Sequence, residues 1–370
     1  MTFSRALYGE LGLKLHFQRH LRILHNSRPA VLGRQAFLIL LITFILGEGM
    51  LRAYVWFDPL PFFYRVFDNR WRGKPHSLDY GFPLNSRGFK DVEFQAEKAP
   101  GTYRILGIGD SFAFGIVPYS ANYLTLLEQK LKGASARNVE VINMGVPGAG
   151  TSDYLAMLVN EGLDLDPDMV SVSFFIGNDF QVPRNSRKLY SYSYLVTYIR
   201  YAYKLKFGVI NEMTHSGEYR DDVGPFTEEA FLEIERQRSE VFLNRSRTLD
   251  RDFDTAFLPL LRIRQICLSR GIQFSVAIIP DEIQVNPELR EMLMRTFGLT
   301  LGFYDWSAPN RRLRTELEQS GIDYIDLLDD FEVVSKRTPL YRPRDTHWNM
   351  AGNALAADLL ARHLERVMAR

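Results

Sequence analysis

The stretch "YRILGIGDSFAFGIVP", residues 103–118, decides the fold of this chain. A hydrophobic run enters a glycine-rich turn, and an acid and a serine, Asp110 and Ser111, stand at its tip. Such a turn between a strand and a helix either cradles a phosphate or presents a nucleophile. The residues around the serine help to distinguish these two functions.

Three well-known turn motifs do not match this stretch. A dinucleotide fingerprint needs a third glycine where Phe112 stands, and a Walker loop needs a lysine where Ile116 stands. The nucleophile elbow of the α/β-hydrolases needs a second glycine where Ala113 stands. What remains is a strand followed by Gly-Asp-Ser at the start of a helix, with Ser111 exposed at the sheet edge. On the triplet alone, a simple helix cap by Asp110 or Ser111 is an equally good interpretation.

The chain beyond this turn alternates between short apolar runs and amphipathic stretches. Strands are predicted over residues 103–109, 139–145, 169–177, 272–280 and 322–328, which are nearly continuous in hydrophobicity, as in strands buried on both faces. Helices are predicted over about 120–132, 152–162, 254–270, 307–320 and 349–368. This alternation predicts an α/β fold with a parallel five-stranded sheet, helices on both sides and functional groups at the carboxyl ends of the strands.

A nucleophilic serine needs a base and a group that orients the base. Of the seven histidines, His347 stands apart, because Asp345 lies two residues before it in a loop and Asn349 can cap the following helix. His363 lies among charged residues of the last helix, which predicts a solvated position. The pair of Asp345 and His347 supplies orienter and base together, or else it is only a local hydrogen bond.

Oxyanion donors are expected at the same sheet edge. The loop "NMGVPGAGT", residues 143–151, follows the second strand, and its glycines leave backbone N–H groups uncovered. The segment "FFIGNDF", residues 174–180, ends the third strand and places the Asn178 amide near Ser111. Each segment alone is also an ordinary loop, but four segments deliver the required groups to one edge.

These four blocks resemble the SGNH, or GDSL-type, hydrolase superfamily in content and order, over roughly residues 100–368. The resemblance implies a flavodoxin-like three-layer α/β/α domain and an esterase or acyltransferase that acts on ester bonds. By the same resemblance Ser111 is the nucleophile, His347 the base and Asp345 its orienter. No metal, nucleotide or other cofactor is implied, and the acids of "DLDPD", residues 164–168, are expected to form a solvated loop rather than a calcium site.

The resemblance also implies an oxyanion hole. Its donors would be the Ser111 N–H, the Gly148 N–H and the Asn178 side chain. Gly148 is chosen over Gly145 because it stands five residues after Asn143, where the family's block has its glycine.

One departure concerns the last block. The family usually has Asp three residues before His, whereas here the order is Asp345-Thr346-His347-Trp348. This D-x-H-W form is similar to that of bacterial polysaccharide O-acetyltransferases of the alginate type, in which it precedes the serine. The expected substrates are therefore short-acyl, in particular acetyl, O-esters of a cell-envelope carbohydrate. The alternatives are a lipid ester hydrolase and a non-catalytic membrane-anchored scaffold protein.

The N-terminal segment predicts a membrane partner. Residues 1–34 contain six basic residues and one acid, and the uncharged run "AFLILLITFILG" follows at residues 36–47. A buried core helix and a cleaved export signal are the alternatives to an uncleaved single-pass anchor in the inner membrane, with the C-terminal bulk on the periplasmic side. A net charge of +1 gives no general attraction to nucleic acid.

The predicted organisation has three parts. Residues 1–57 form the basic segment and anchor, 58–98 a connecting extension, and 99–370 the hydrolase-like domain with an insertion at about 181–253. Inside the insertion, "KLYSYSYLVTYIRYAYKLKFG", residues 188–208, is crowded with tyrosine. It predicts either a helix with half-buried tyrosines or a lid or binding surface for sugars or lipid headgroups.

Overall fold

A computed structural model describes residues 28–57, 73–134, 137–180, 193–206, 215 and 217–370. The chain divides into two compact units. One comprises Met1–Pro59 and Arg187–Ile210, and the other comprises Leu60–Ser186 and Asn211–Arg370. Residues 58–72 of the predicted extension lie outside the described residues, as do 181–192, 207–214 and 216 of the predicted insertion, including Tyr190 and Tyr192.

The larger unit is built on a parallel sheet. The described strands in chain order are β1 (Leu78–Asp79), β2 (Phe82–Pro83), β3 (Thr102–Gly109), β4 (Asn138–Gly145), β5 (Met169–Phe175), β6 (Gln273–Ile279) and β7 (Asp323–Asp326). Strands β1 and β2 form a small antiparallel pair, whereas the other five pair in parallel in the order β4-β3-β5-β6-β7. This is the doubly wound flavodoxin-like order. The predicted fold class and all five predicted strands are confirmed.

Helices of the larger unit cover both faces of this sheet. In chain order the described helices are α1 (Arg28–Phe57), α2 (Ser111–Phe114), α3 (Tyr123–Ala134), α4 (Thr151–Met157), α5 (Tyr194–Lys206), α6 (Glu228–Ser239), α7 (Arg247–Arg270), α8 (Glu282–Val285), α9 (Pro287–Phe297), α10 (Ala308–Gln319), α11 (Leu328–Ser335) and α12 (Met350–Met368). Helices α4, α6, α7, α9 and α10 contribute to one hydrophobic core, and α3, α11 and α12 to the other.

The side-chain alternation of β3 explains why there are two cores. Leu106 and Ile108 belong to the first core, and Ile105 belongs to the second, because successive side chains of a strand point to opposite faces. All three are fully buried. A strand that must be apolar on both faces gives the continuous hydrophobic run that identifies it in the sequence.

A glycine brings the turn after β3 against the neighbouring strand. Gly145, the last residue of β4, lies so close to α2 that an added Cβ would come within 2.1 Å of the Phe114 backbone N. Any other residue would push α2, and with it Ser111, away from the sheet edge.

The smaller unit contains α1 and α5. Within α1, Val31–Tyr54 is long and apolar enough to cross a membrane, judged by length and composition, and none of its most apolar part is buried. The first residues of α5 contact α1 near Glu48. The predicted N-terminal apolar helix is therefore present, while residues 1–27 lie outside the described part of the chain.

Candidate active site

Ser111 stands at the end of β3, as the first residue of α2. Asp110 caps this short helix, since its Oδ1 accepts a hydrogen bond from the Phe112 N–H at 2.9 Å. Burial raises the pKa of Asp110, although the Phe112 N–H and the Asn178 amide act in the opposite direction. The capping function that the sequence left open for Asp110 is therefore real, and it holds the turn that presents Ser111 at the sheet edge.

Three polar side chains donate hydrogen bonds to the backbone carbonyl groups of residues 113–115. Asn143 and Asn122 donate their amides to the first two of these carbonyls at 2.8 and 2.9 Å. Lys90 donates its ammonium to the third at 2.7 Å and forms a fully buried ion pair with Asp79. Because each buried carbonyl has a partner, the turn is fixed in one conformation. Sequence reasoning missed Lys90 and Asn122, since neither belongs to a motif.

A chain of hydrogen bonds joins the three residues expected to form a triad. His347 Nε2 lies 2.8 Å from Ser111 Oγ, and His347 Nδ1 lies 2.7 Å from Asp345 Oδ1. The His347 side chain is 19% exposed, whereas that of Asp345 is only 2% exposed. The imidazole thus has one nitrogen on a buried carboxylate and the other on a hydroxyl at the sheet edge, which is the arrangement that activates a serine.

The loop that carries Asp345 and His347 folds back on itself. Tyr341 and Trp348 form an antiparallel bridge, and the Arg342 N–H donates to the His347 carbonyl at 3.0 Å. At its tip, Arg344 has a left-handed φ of 49°. This tight turn brings the Asp345 carboxylate into contact with the His347 imidazole. A spacing of two residues between them is therefore enough for the hydrogen bond.

Arg342 forms an ion pair with the second oxygen of the Asp345 carboxylate. Its Nη1 lies 2.7 Å from Asp345 Oδ2, its Nη2 donates to the Val223 carbonyl at 2.9 Å, and its guanidinium lies over the Tyr219 ring. Burial alone would raise the pKa of Asp345, but His347 and Arg342 outweigh burial, and the pKa lies below its ordinary value. The carboxylate therefore stays ionised beside the imidazole. Sequence reasoning did not select Arg342, although it lies in the same short loop.

Aromatic residues support the imidazole. The Phe112 ring centroid lies 5.2 Å from that of His347 and 4.9 Å from that of Trp348, which meets it edge to face. Trp348 also packs on Phe331 at 5.1 Å and is almost completely buried. The tryptophan of the D-x-H-W block is thus a packing residue that restricts the positions open to His347.

The expected oxyanion donors are found at the same edge, with different degrees of constraint. The Asn178 amide nitrogen donates to Asp110 Oδ2 at 2.9 Å, so that one of its two N–H groups is used and its orientation is set. Gly148 is exposed, has a φ of +73° and has open space where a Cβ would be. Ser111 is at the first helical position, where a backbone N–H has no acceptor within the helix.

The prediction for His363 is wrong. Its side chain is buried rather than solvated, and its Nε2 lies 2.9 Å from Ser275 Oγ. Burial lowers its pKa to about 4. The charged neighbours in sequence lie on the outer face of α12, while His363 lies on the inner one. Among the described residues, no group of three His, Cys, Asp or Glu side chains is arranged to hold a metal ion.

The C-terminal part of the chain matches a known family. Residues 256–369 match the family model of the SGNH hydrolase-like domain of the acetyltransferase AlgX. The matched range includes Asp345 and His347 in their D-x-H-W order. Over these residues the chain is similar to an SGNH hydrolase-like domain, which supports an esterase or acyltransferase class of activity. No curated protein matches the chain.

Solved structures of esterases and acylhydrolases resemble this chain only distantly. A lipase/acylhydrolase from Enterococcus faecalis is 16% identical, with 71% of this chain and 96% of that one covered and a TM-score of 0.39. An acetyl xylan esterase is 17% identical, with 70% and 97% covered and a TM-score of 0.38. A two-domain esterase active on acetylated mannans is 14% identical, with 73% and 50% covered and a TM-score of 0.37.

Proposed function

We propose that this protein is a serine-dependent ester hydrolase or acyltransferase that removes or transfers short acyl groups through an acyl-enzyme. The observation that carries the proposal is the continuous hydrogen-bond chain from Ser111 Oγ through His347 to Asp345. In this mechanism Ser111 is the nucleophile, His347 the general base, and Asp345 the group that orients His347 and stabilises its protonated form.

The first half-reaction forms the acyl-enzyme. Ser111 Oγ attacks the ester carbonyl carbon while His347 Nε2 takes the hydroxyl proton. The carbonyl oxygen becomes an oxyanion, which the Ser111 N–H, the Gly148 N–H and the second N–H of the Asn178 amide would stabilise, each by about 3 kcal/mol. His347 then gives the proton to the leaving alcohol as the carbon–oxygen bond breaks.

The second half-reaction resolves the acyl-enzyme. Water, or a hydroxyl group of a second molecule, attacks the acyl carbon, and His347 takes its proton and returns it to Ser111 Oγ. The acceptor decides whether the outcome is hydrolysis or transfer. The D-x-H-W block and the match to an acetyltransferase domain favour acetyl as the acyl group.

The proposed substrate is an acetylated carbohydrate of the cell envelope, and the proposed location is the periplasmic side of the inner membrane. The helix Val31–Tyr54 would be an uncleaved anchor, and the excess of basic residues before it would stay in the cytoplasm. An enzyme that works on a surface polymer benefits from tethering, because both partners are held at high local concentration.

The test of this function uses the full chain in detergent with p-nitrophenyl esters of increasing acyl length. Ser111→Ala should lose several orders of magnitude in kcat and labelling by a fluorophosphonate probe, with an unchanged melting temperature. The matched control is Ser269→Ala, which removes an exposed hydroxyl on α7. Retention of more than about a tenth of the wild-type kcat by Ser111→Ala would refute the mechanism. A rate maximum at octanoate or longer would contradict the carbohydrate ester and favour a lipid ester as the substrate.

A further inference from the structure

The start of α5 is bound to one side chain of α1. The Glu48 carboxylate accepts hydrogen bonds from Ser193 Oγ at 2.9 Å, from the Tyr194 N–H at 3.0 Å and from the Leu195 N–H at 2.8 Å. The first N–H groups of a helix have no partner inside it, and a negative charge is favourable there. Glu48 therefore supplies from another helix the acceptor that α5 needs at its N-terminus.

The same contact accommodates Glu48, the one acidic residue of α1, at low cost. Glu48 also pairs with Arg52 at 2.7 Å, and the Arg52 guanidinium lies 4.4 Å from the centre of the Tyr194 ring. Gly47, one residue earlier, leaves room for Leu195, since an added Cβ would meet its Cδ2 at 3.2 Å. The side chains of α1 on this turn are thus arranged to receive α5.

The position of Glu48 along α1 defines the depth of this contact in a bilayer. Residues 35–47 carry no charge and rise by about 20 Å as a helix, which fills most of a hydrocarbon core of about 30 Å. Glu48 then lies at the far border of the hydrocarbon, where its charge and that of Arg52 reach the headgroups. Helix α5 begins at this border.

The composition of α5 fits that level. Leu195, Ile199 and Tyr203 recur every four residues on one side of the helix, and the last two are 58% and 61% exposed. Arg200 is also exposed and lies about 100° around the helix from Ile199. Residues 193–206 contain three basic residues and no acid. An apolar and aromatic face, together with basic and no acidic residues, is typical of helices that lie in the interface of an anionic membrane.

We propose that α5 is a second membrane contact, an interfacial helix whose exposed side chains Ile199 and Tyr203 enter the headgroup boundary of the same bilayer that α1 crosses. The inference rests on the membrane anchor of the proposed function, because Glu48 fixes α5 at the end of that anchor. It assigns the tyrosine-rich part of the insertion to lipid rather than to a sugar or an active-site lid.

The experiment measures the depth of spin labels in the full chain, reconstituted in vesicles of phosphatidylcholine and phosphatidylglycerol. Single cysteines replace Phe37 in α1, Ile199 in α5 and Leu268 in α7, all exposed positions, in a Cys267→Ala background. Collision with oxygen, which concentrates in lipid, is compared with collision with a water-soluble nickel chelate. We expect the Ile199 label to have an oxygen-to-nickel ratio several-fold above that of the Leu268 label and below that of the Phe37 label.

The other outcomes are distinguishable. An Ile199 label that behaves like the Leu268 label, or that meets neither reagent because protein covers it, overturns the inference while the Phe37 label still supports the anchor. A Phe37 label that behaves like the Leu268 label overturns the anchor itself. Adding Glu48→Ala should move the Ile199 label toward water and leave the Phe37 label in lipid. No movement of the Ile199 label would show that Glu48 does not position α5.

Discussion

Arg342 should control the pH range in which the enzyme works. The perturbation is Arg342→Met, which keeps most of the side-chain volume and removes the charge. The Arg342 guanidinium reaches the His347 imidazole only through the Asp345 carboxylate, which it contacts at 2.7 Å while the imidazole contacts the other oxygen at 2.7 Å. It is therefore a positioning residue, and its charge acts on the imidazole across this carboxylate.

The magnitude follows from the geometry. The two hydrogen bonds and the width of the carboxylate set the guanidinium and the imidazole roughly 7 Å apart, where two unit charges repel by about 2 kcal/mol at an effective dielectric constant of about 20. Since one pKa unit is about 1.4 kcal/mol, loss of the cation should favour proton uptake by the coupled Asp345–His347 pair by about one unit. The pKa of Asp345, which His347 and Arg342 hold below its ordinary value, should rise in the variant, so that the pair takes up a proton at higher pH.

The assay is the pH profile of kcat/KM for p-nitrophenyl acetate, measured with the full chain from pH 4.5 to 9. The acid limb, below which the Asp345–His347 pair is protonated, should move to higher pH by about one unit in Arg342→Met. Arg342→Lys retains the charge and should keep the acid limb within a few tenths of a unit of wild type. An acid limb that stays in place or moves to lower pH in Arg342→Met, in a folded protein, would refute the reasoning.

Two further predictions concern the oxyanion donor and a buried carboxyl group. Asn178→Ala should lower kcat about 100-fold with little change in KM, because the Asn178 amide would act mainly on the transition state. A change in KM as large as the change in kcat would contradict this prediction. Glu282 has its pKa raised to about 8 by burial, so its contribution to stability is complete below about pH 4.5 and is lost as pH rises through about 8. The melting temperature of wild type should therefore fall between pH 5 and 8.5, and that of Glu282→Gln should fall less, while the exposed control Glu291→Gln should follow wild type.

The sheet was predictable because its strands must be apolar on both faces. Helix α9 was not, although Asn286 caps it and Pro287 stands at its first position, a combination that signals a helix start. Only Leu289 and Leu293 of α9 are buried. Its apolar periodicity is therefore short, and its many charged residues make the helix hard to recognise from hydrophobic periodicity alone. Capping signals, read independently of hydrophobic periodicity, would have found it.

The site was predictable where the residues belong to motif blocks and unpredictable where their function depends on contacts distant in sequence. Lys90 lies in the segment interpreted as a connecting extension, yet it is fully buried under the turn that presents Ser111. His363 was misplaced because its neighbours in sequence are charged, while the face of α12 on which it lies packs inward. The burial of Lys90 depends on contacts distant in sequence, and that of His363 depends on which face of α12 packs inward.

The four motif blocks form one physical network around residues 110–115, which explains why they accompany one another. Asp110 links the first block to the third by accepting from the Asn178 amide at 2.9 Å. Asn143 links the second block to the first through the Ala113 carbonyl at 2.8 Å. His347 links the fourth block to the first through Ser111 Oγ at 2.8 Å. A change in any one of these residues alters the position of the turn, so each short motif is constrained by the other three.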